Sequence, residues 1–354
     1  MADRTTDRTT KDTTPNDGQP GSPPANRRPR RSSDRQSLTP GPKRSRTPLS
    51  AIRPPDYLVI GHICADLQSD GSVLLGGTAL YSALTAAKLG WRTAILTKGA
   101  FGLDFNGMKI PGLDQYAEQI DIIVQQADGP TVFRNEYQAG RRVQSIRHWA
   151  QPIDLTGLPP HWRNPKILHL GPVAQEIDQR QAVSLQGGFI GATPQGWMRD
   201  WPRAGGGRVT HGQLRIHAEL LDRLDSVIVS IDEYPYSRQV VDRVASRRLG
   251  VVTFDERGSR IIHPEIGTPR GTFATRRQQV ELPGFKVDVQ DSTGAGDVFA
   301  AAFFIGAVDP KASAERAGTF ANATAALSLR AAGPTGIPSR AEVDAIIAAR
   351  EAER

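Results

Sequence analysis

The chain has 354 residues and a formal net charge of +7, with a single cysteine, Cys64. One cysteine excludes a disulfide framework and a multi-cysteine metal site, and no apolar run reaches the roughly 18 residues of a membrane span. The N-terminus is polar and lacks the apolar core of a secretory signal, so the expected location is the reducing cytoplasm.

Residues 1–54 hold 12 Lys or Arg against 5 Asp, which accounts for the whole excess of charge; the other 300 residues carry 32 groups of each sign. This segment is rich in Pro, Ser, Thr and Arg and has no aromatic residue. It cannot bury enough apolar surface to offset the entropy of ordering, and is expected to be a disordered basic tail. Arg27, Arg28, Arg30 and Arg31 could touch an anionic surface, but a solvated tail is the plainer reading. The balanced remainder has no electrostatic footprint for nucleic acid.

From residue 55 onward the pattern is that of one α/β domain. Tyr57 to Ile63 reads as a buried strand that delivers Asp66 at its C-terminal end. Ser72 to Leu75 is a second short strand, leading into Gly76-Gly77. Thr78 to Leu89 carries Thr78, Ser82, Thr85 and Lys88 at spacings of 4, 3 and 3, which predicts a helix with one polar stripe. Gly90 ends it and Arg92 to Thr97 returns as strand, so the grammar is that of a parallel sheet. Thr131 to Tyr137 and Val143 to Trp149 alternate around Ala139-Gly140 and predict an antiparallel hairpin, polar enough to cover a site. Lys166 to Leu170 resumes the sheet. Residues 186–212 are irregular, with Trp197 and Trp201 expected to pack beneath a Gly-rich loop. Gln213 to Leu224 is expected as helix, Ser226 to Ile231 as strand, Glu233 to Arg248 as helix and Val251 to Phe254 as strand. A turn at Glu256-Arg257-Gly258 then leads into Arg260 to His263. After residues 310–330, Ser339 and Glu342 predict a capping box at the last helix.

The most informative stretch is Asp291 to Asp297, D-S-T-G-A-G-D, followed by the uncharged run Val298 to Val308. A Gly-rich turn feeding a helix N-terminus leaves backbone N–H groups without intrahelical partners, and with the helix dipole these form an anion site. Asp297 places a carboxylate in the first turn, beside that site. A base next to an anion hole is what phosphoryl transfer to a hydroxyl requires. The stretch is not a Walker A loop, since no Gly-Lys-Ser/Thr follows, and it lacks the third glycine of G-x-G-x-x-G. Helix capping by Asp291 and Asp297 is the structural alternative.

These residues resemble those of the ribokinase-like, or PfkB, carbohydrate kinases. D-S-T-G-A-G-D-V-F at Asp291 to Phe299 is similar to the family's C-terminal signature, and G-G-T-A-L-Y-S-A-L-T-A-A-K-L-G at Gly76 to Gly90 to its N-terminal one. G-H-I-C-A-D at Gly61 to Asp66 is similar to the strand that carries a substrate carboxylate, and V-V-T-F-D-E-R-G at Val251 to Gly258 to the nucleotide-side strand and turn. The resemblance implies a mostly parallel central sheet with helices on both faces and a small β lid, here about residues 67–76 and 130–150 of a domain spanning 55–354. It implies Asp297 as general base and Gly294, Ala295 and Gly296 as anion hole. Asp66, Gly76 and Gly77 would hold the substrate, and Thr253, Asp255, Arg257, Gly258 and Asn322 would line the ATP site. Glu233 would orient water on Mg²⁺, and Asp291 and Thr293 would lie near a monovalent cation such as K⁺, where the family has one. The implied partner is a sugar or polyol, with no membrane, and a homodimer is allowed because assembly in this family depends on the lid.

The chain departs from the pattern at His62, where the family often has an acid, at Tyr81, where a polar amide is usual, and at Asp255, where Gly is usual. The segment between Asp66 and Gly76 is also short for a ribokinase lid. Gln195-Gly196-Trp197 resembles inositol-kinase-like relatives. Plain structural uses stand beside the implied ones: Asp66 as a turn residue, Glu233 at a helix N-terminus, Asn322 as a packing amide and His62 as a satisfied core group. The alternatives for function are a nucleoside or inositol kinase of the same fold, a non-catalytic small-molecule-binding or regulatory protein, and nucleic-acid binding through the tail.

Overall fold

The structure, a computed structural model, describes residues 54–353 except 139–140, 266–271, 275 and 310–311. The expected tail and the Ala139-Gly140 turn lie outside the described residues.

In chain order the elements are β1 (Tyr57–Ile60), β2 (Cys64–Leu67), β3 (Val73–Gly76), α1 (Thr78–Lys88), β4 (Thr93–Gly99), β5 (Leu103–Phe105), β6 (Met108–Ile110), β7 (Asp121–Gln126), β8 (Thr131–Gln138), β9 (Arg141–His148) and β10 (Ile167–Leu170). There follow α2 (Gln179–Ala182), β11 (Phe189–Ala192), α3 (Gln195–Met198), β12 (Arg199–Asp200), β13 (Gly207–Arg208), β14 (Thr210–His211), α4 (Ala218–Leu221), β15 (Ser226–Ser230) and α5 (Tyr234–Ala245). The last third holds β16 (Leu249–Thr253), β17 (Ser259–Pro264), β18 (Arg277–Leu282), α6 (Ala295–Val308), α7 (Ala314–Ser328) and α8 (Arg340–Ala352).

The central sheet has nine strands in the order β18-β17-β16-β15-β11-β10-β1-β4-β7. All pairs from β7 to β16 are parallel, while β17 and β18 join antiparallel at one edge. Its strands read as continuous apolar runs because both faces are covered. Tyr57, Val59, Ile95, Ile167 and Val251 face one layer with α1, α6, α7 and α8. Leu58, Ile60, Leu96, Leu168 and Val252 face the other, with α2, α4 and α5. From Val298 onward α6 is apolar all round, and Phe303 and Phe304 are fully buried. Phe304 packs so closely over Gly191 of β11 that a Cβ there would lie 2.4 Å from the ring. Phe304→Ala is therefore expected to cost about 3–5 kcal/mol of stability, read from the midpoint of urea unfolding.

Three expectations are corrected. Tyr57 to Ile63 is not one strand: β1 ends at Ile60, and β2 belongs to a separate five-stranded sheet ordered β13-β9-β8-β2-β3. Gly61 makes that crossover possible, since a Cβ there would lie 2.3 Å from the Gly171 carbonyl oxygen. Residues 186–212 contain β11, a strand of the central sheet. Gln213 to Leu224 is helical only over Ala218–Leu221, because the preceding chain is tied elsewhere. There the Leu214 N–H donates to Tyr236 O and the His217 N–H to Gln179 Oε1. The polar stripe of α1 is present, and its first three members face inward: Thr78, Ser82 and Thr85 are fully buried, while Lys88 is exposed. The hairpin of β8 and β9 is antiparallel as expected, and the Ser339–Glu342 capping box is present.

Candidate active site

The crossover from β1 to β2 is held by a buried carboxylate. Glu176 Oε1 accepts from the His62 N–H at 2.9 Å, and the same side chain accepts from Val173 N and Ala174 N. His62 itself is fully buried, with Nδ1 bonded to Thr131 Oγ1 at 2.8 Å. Burial lowers its pKa, against the opposing field of Glu176, so it stays neutral. It is a core group.

Asp66 follows on β2. Its Oδ2 sits over Gly76 of the paired strand, where a Cβ would lie 2.3 Å away, so glycine at 76 admits the carboxylate. Gly77 caps α1 at φ 90°, and a Cβ there would meet the His62 carbonyl oxygen at 2.7 Å. The position therefore needs glycine twice over.

On the other wall, Gly294 caps α6 in the left-handed region at φ 77°. The first N–H groups of a helix have no intrahelical partner. Here that end borders a cleft of about 760 Å³, which both Gly294 and Asp297 line. The Ala295 N–H reaches Ser292 O only at 3.4 Å. Asp297 accepts a hydrogen bond from Thr78 Oγ1 at 2.7 Å. Its surroundings push its pKa from 3.8 up to about 6. Burial is the main cause, with smaller upward contributions from Glu233 and Asp66, opposed by the Thr78 hydroxyl and the Arg199 guanidinium. Such a carboxyl is a base near neutral pH, with more proton affinity than an ordinary aspartate.

The cleft thus brings Asp66, Gly77, Asp291, Thr293, Gly294 and Asp297 together. Asp291 closes its own turn: Oδ1 accepts from Thr293 N at 2.9 Å and Oδ2 from Gly333 N at 2.8 Å. Burial raises its pKa, but those two N–H groups prevail and leave it below the ordinary value.

The remaining expected residues lie outside this wall. Glu233 caps the end of β15, its Oε2 accepting from Ser230 N at 2.9 Å. Thr253 ends β16, and Asp255 takes φ 50°, a left-handed conformation that explains why glycine suits the position. Gly258 is wedged where a Cβ would meet Leu282 O at 2.1 Å. Arg257 lies over the Phe254 ring at 5.3 Å. Asn322 donates to Leu282 O at 3.2 Å. Gly258 and Asn322 meet at Leu282, at the end of β18, and Thr253, Asp255 and Arg257 lie along the β16–β17 turn. Asn322 spends its amide nitrogen on the carbonyls of Leu282 and Pro283.

Several wall residues were not foreseen: Gln68, Phe133, Asn135, Gln144 and Arg199. Arg199 donates from Nη1 to Val173 O at 2.9 Å and lies over the Phe133 ring at 5.3 Å. The irregular stretch that supplies it has no periodicity to reveal it. Gln195, singled out by its motif, does line the cleft, whereas Trp201 packs on Trp149 at 5.7 Å and Trp197 donates to Ile177 O. Both tryptophans pack beneath the loop, as expected.

Residues 248–340, which include the glycine-capped helix with an acid in its first turn, match the family described as pfkB family carbohydrate kinase. Beyond that stretch the likeness is one of fold, and the fold is ribokinase-like. An uncharacterized sugar kinase of Pyrococcus horikoshii is 30% identical over 139 residues, 39% of this chain and 41% of that protein. The chain therefore aligns with less than half of this curated relative. Arabidopsis thaliana ribokinase, solved with ribose and ATP, shares the fold at TM-score 0.54 and 20% identity, covering 83% of this chain and 99% of its own. A pyrophosphate-dependent kinase of the ribokinase family, solved with a pyrophosphate analog and myo-inositol, gives a TM-score of 0.57 at 19% identity, covering 82% of this chain and 99% of its own. At these identities the likeness is one of fold. Among the described residues, no helix of this ribokinase-like chain is long and apolar enough to cross a membrane.

Proposed function

We propose that the protein transfers a phosphoryl group from ATP to a hydroxyl of a small sugar or polyol. The observation that carries this reading is Asp297: a carboxyl whose pKa is raised to about 6, in the first turn of α6, facing a cleft shared with Asp66. Asp297 takes the proton of the attacking hydroxyl, and the α6 N-terminus receives the charge of the transferring group. Asp66 and the carboxamides of Gln68, Asn135, Gln144 and Gln195 offer the paired donors and acceptors that a neutral polyhydroxylated acceptor needs.

The nucleotide falls on this reading to Thr253, Asp255, Arg257, Gly258 and Asn322. Among the described residues no group of three His, Cys, Asp or Glu side chains is arranged to hold a metal. Mg²⁺ would therefore meet Glu233 through water and take its other ligands from phosphate oxygens, supplying charge neutralisation. K⁺ near Asp291 and Thr293 would share the Asp291 oxygens with the N–H groups of Thr293 and Gly333, which they already accept. The single cysteine, fully buried, suits a reducing cytoplasm.

The test is product release from ATP and Mg²⁺ across pentoses, hexoses, inositols and nucleosides, with pyrophosphate as a parallel donor. Turnover with one acceptor class is expected. Correctly folded protein that binds an acceptor and a donor without turnover would instead establish the non-catalytic binding reading.

A further inference from the structure

The buried polar stripe of α1 has a direction. Thr78 Oγ1 lies 2.7 Å from Asp297 Oδ1, and Gln195 Nε2 lies 2.9 Å from the same Oγ1. The Gln195 Nε2 group can only donate, so it occupies an acceptor site of the hydroxyl. The hydroxyl proton is then committed to Asp297. One turn along, Ser82 Oγ donates to the Asp297 carbonyl oxygen at 3.1 Å. α1 thus grips both the carboxylate and the backbone of one residue of α6.

We infer that Thr78, with its hydroxyl aimed by Gln195, is the positioning residue of Asp297: it ties down Oδ1 and leaves Oδ2 as the proton-accepting oxygen. The inference rests on the proposed role of Asp297. A hydroxyl donor to a carboxylate stabilises the charged form, so Thr78 also holds the proton affinity of this half-buried acid in a useful range. The charged groups around Asp297 are Arg199 from β12, which favours the ionised form, and Asp66 of β2 and Glu233 at the start of α5, which oppose it. Cys64 and Tyr81 also line the cleft, and burial raises the pKa of each, so both stay neutral. Thr78 is the group that touches the carboxylate.

A second consequence follows from where Gln195 sits. It begins α3, and the chain beyond runs through β12 to β13, which pairs with β9 of the five-stranded sheet. That sheet carries Asp66 on β2 and Phe133, Arg134, Asn135 and Glu136 on β8, all lining the cleft. The hydroxyl that aims the base is therefore anchored to the segment that also builds the acceptor side of the cleft.

The experiment compares wild type with Thr78→Val, Thr78→Ser and Gln195→Leu by difference infrared titration of the Asp297 carboxyl, with Asp297→Asn to identify its band. Thr78→Val keeps the shape and removes the donor. It is expected to raise the midpoint by about one pH unit, a tenfold change in proton affinity, as loss of a hydrogen bond to a charged group implies. Thr78→Ser should restore the wild-type midpoint, and Gln195→Leu should shift it upward by less. The acid limb of kcat should move by the same amount in each variant. A Thr78→Val midpoint equal to wild type overturns the inference, as does a fall in kcat that is uniform across pH. The infrared reading needs no turnover, so it separates this inference from the kinase assignment: absence of activity in wild type would sink the assignment while the midpoints still decide the positioning.

Discussion

Asp297→Asn is expected to reduce phosphoryl transfer by about 10³-fold, within the range of a general base removed from its site. Asparagine keeps the size of the side chain, and its carbonyl oxygen still accepts from Thr78. Geometry is therefore conserved while the proton acceptor is lost. Acceptor binding, measured by calorimetry, should change little, so the loss falls on kcat rather than KM. Loss of binding in step with activity would show that Asp297 holds substrate instead of taking its proton.

The same residue sets two pH dependences of opposite benefit. Transfer needs the ionised carboxylate, so kcat should climb with pH through about 6, where Asp297 titrates. Stability runs the other way. The unfolded chain holds this proton with the ordinary affinity of 3.8 and the folded chain with that of about 6. Between roughly pH 4 and 6 the folded state therefore binds more protons than the unfolded one, and stability falls as pH rises across that window. Asp297→Asn removes this half-buried charge. Its melting temperature should exceed that of wild type at pH 7.5, and the gap should close near pH 4. A catalytic acid kept at the expense of stability behaves in this way; a mere cap would lose stability on substitution at neutral pH.

What could be read beforehand followed how local each feature is. The turn and helix at Asp291 to Val308 are contiguous, so their composition announces the glycine-capped helix and the acid in its first turn on which the proposed anion site and base rest. Gly76 and Gly77 were equally visible, and the structure gives each a contact that excludes a side chain. The failures are non-local. β2 looks like the end of β1 until β8, 64 or more residues later, pairs with it in the other sheet. β11 is four residues long and includes Gly191, whose lack of a side chain makes sense only beneath Phe304 of α6. The polar stripe of α1 was legible as a pattern but not as a role, because Asp297, which it serves, lies 219 residues away from Thr78. Asp255 and Tyr81 stood out as departures, and the structure gives a physical reason at both: a left-handed backbone at one, a ring laid on the anion turn at the other.

That ring makes Gly294 the second site of large effect. A Cβ at Gly294 would lie 2.3 Å from the Tyr81 ring, and its φ of 77° is one that L-residues adopt at a cost of about 1–2 kcal/mol. Gly294→Ala must therefore push the turn away from Tyr81, and the α6 N–H groups with it. Displacing one oxyanion donor typically costs about 10²–10³-fold in kcat, and that loss is expected here. Pairing Gly294→Ala with Tyr81→Ala removes the steric part but not the backbone part. The double variant should recover part of the kcat lost by Gly294→Ala, a coupling that a mutant cycle reads directly. Gly296 supplies the contrast. It has no positive φ, and a Cβ there meets nothing within 4 Å. Gly296→Ala should fold at least as stably as wild type, since alanine favours a helix over glycine by about 1 kcal/mol. If the transferring phosphoryl approaches this turn, the added methyl stands in its way, and kcat falls in a protein whose stability is intact. Wild-type turnover in Gly296→Ala would mean that the reacting group does not approach the helix at Gly296, and that the anion hole is built from the other N–H groups of the turn.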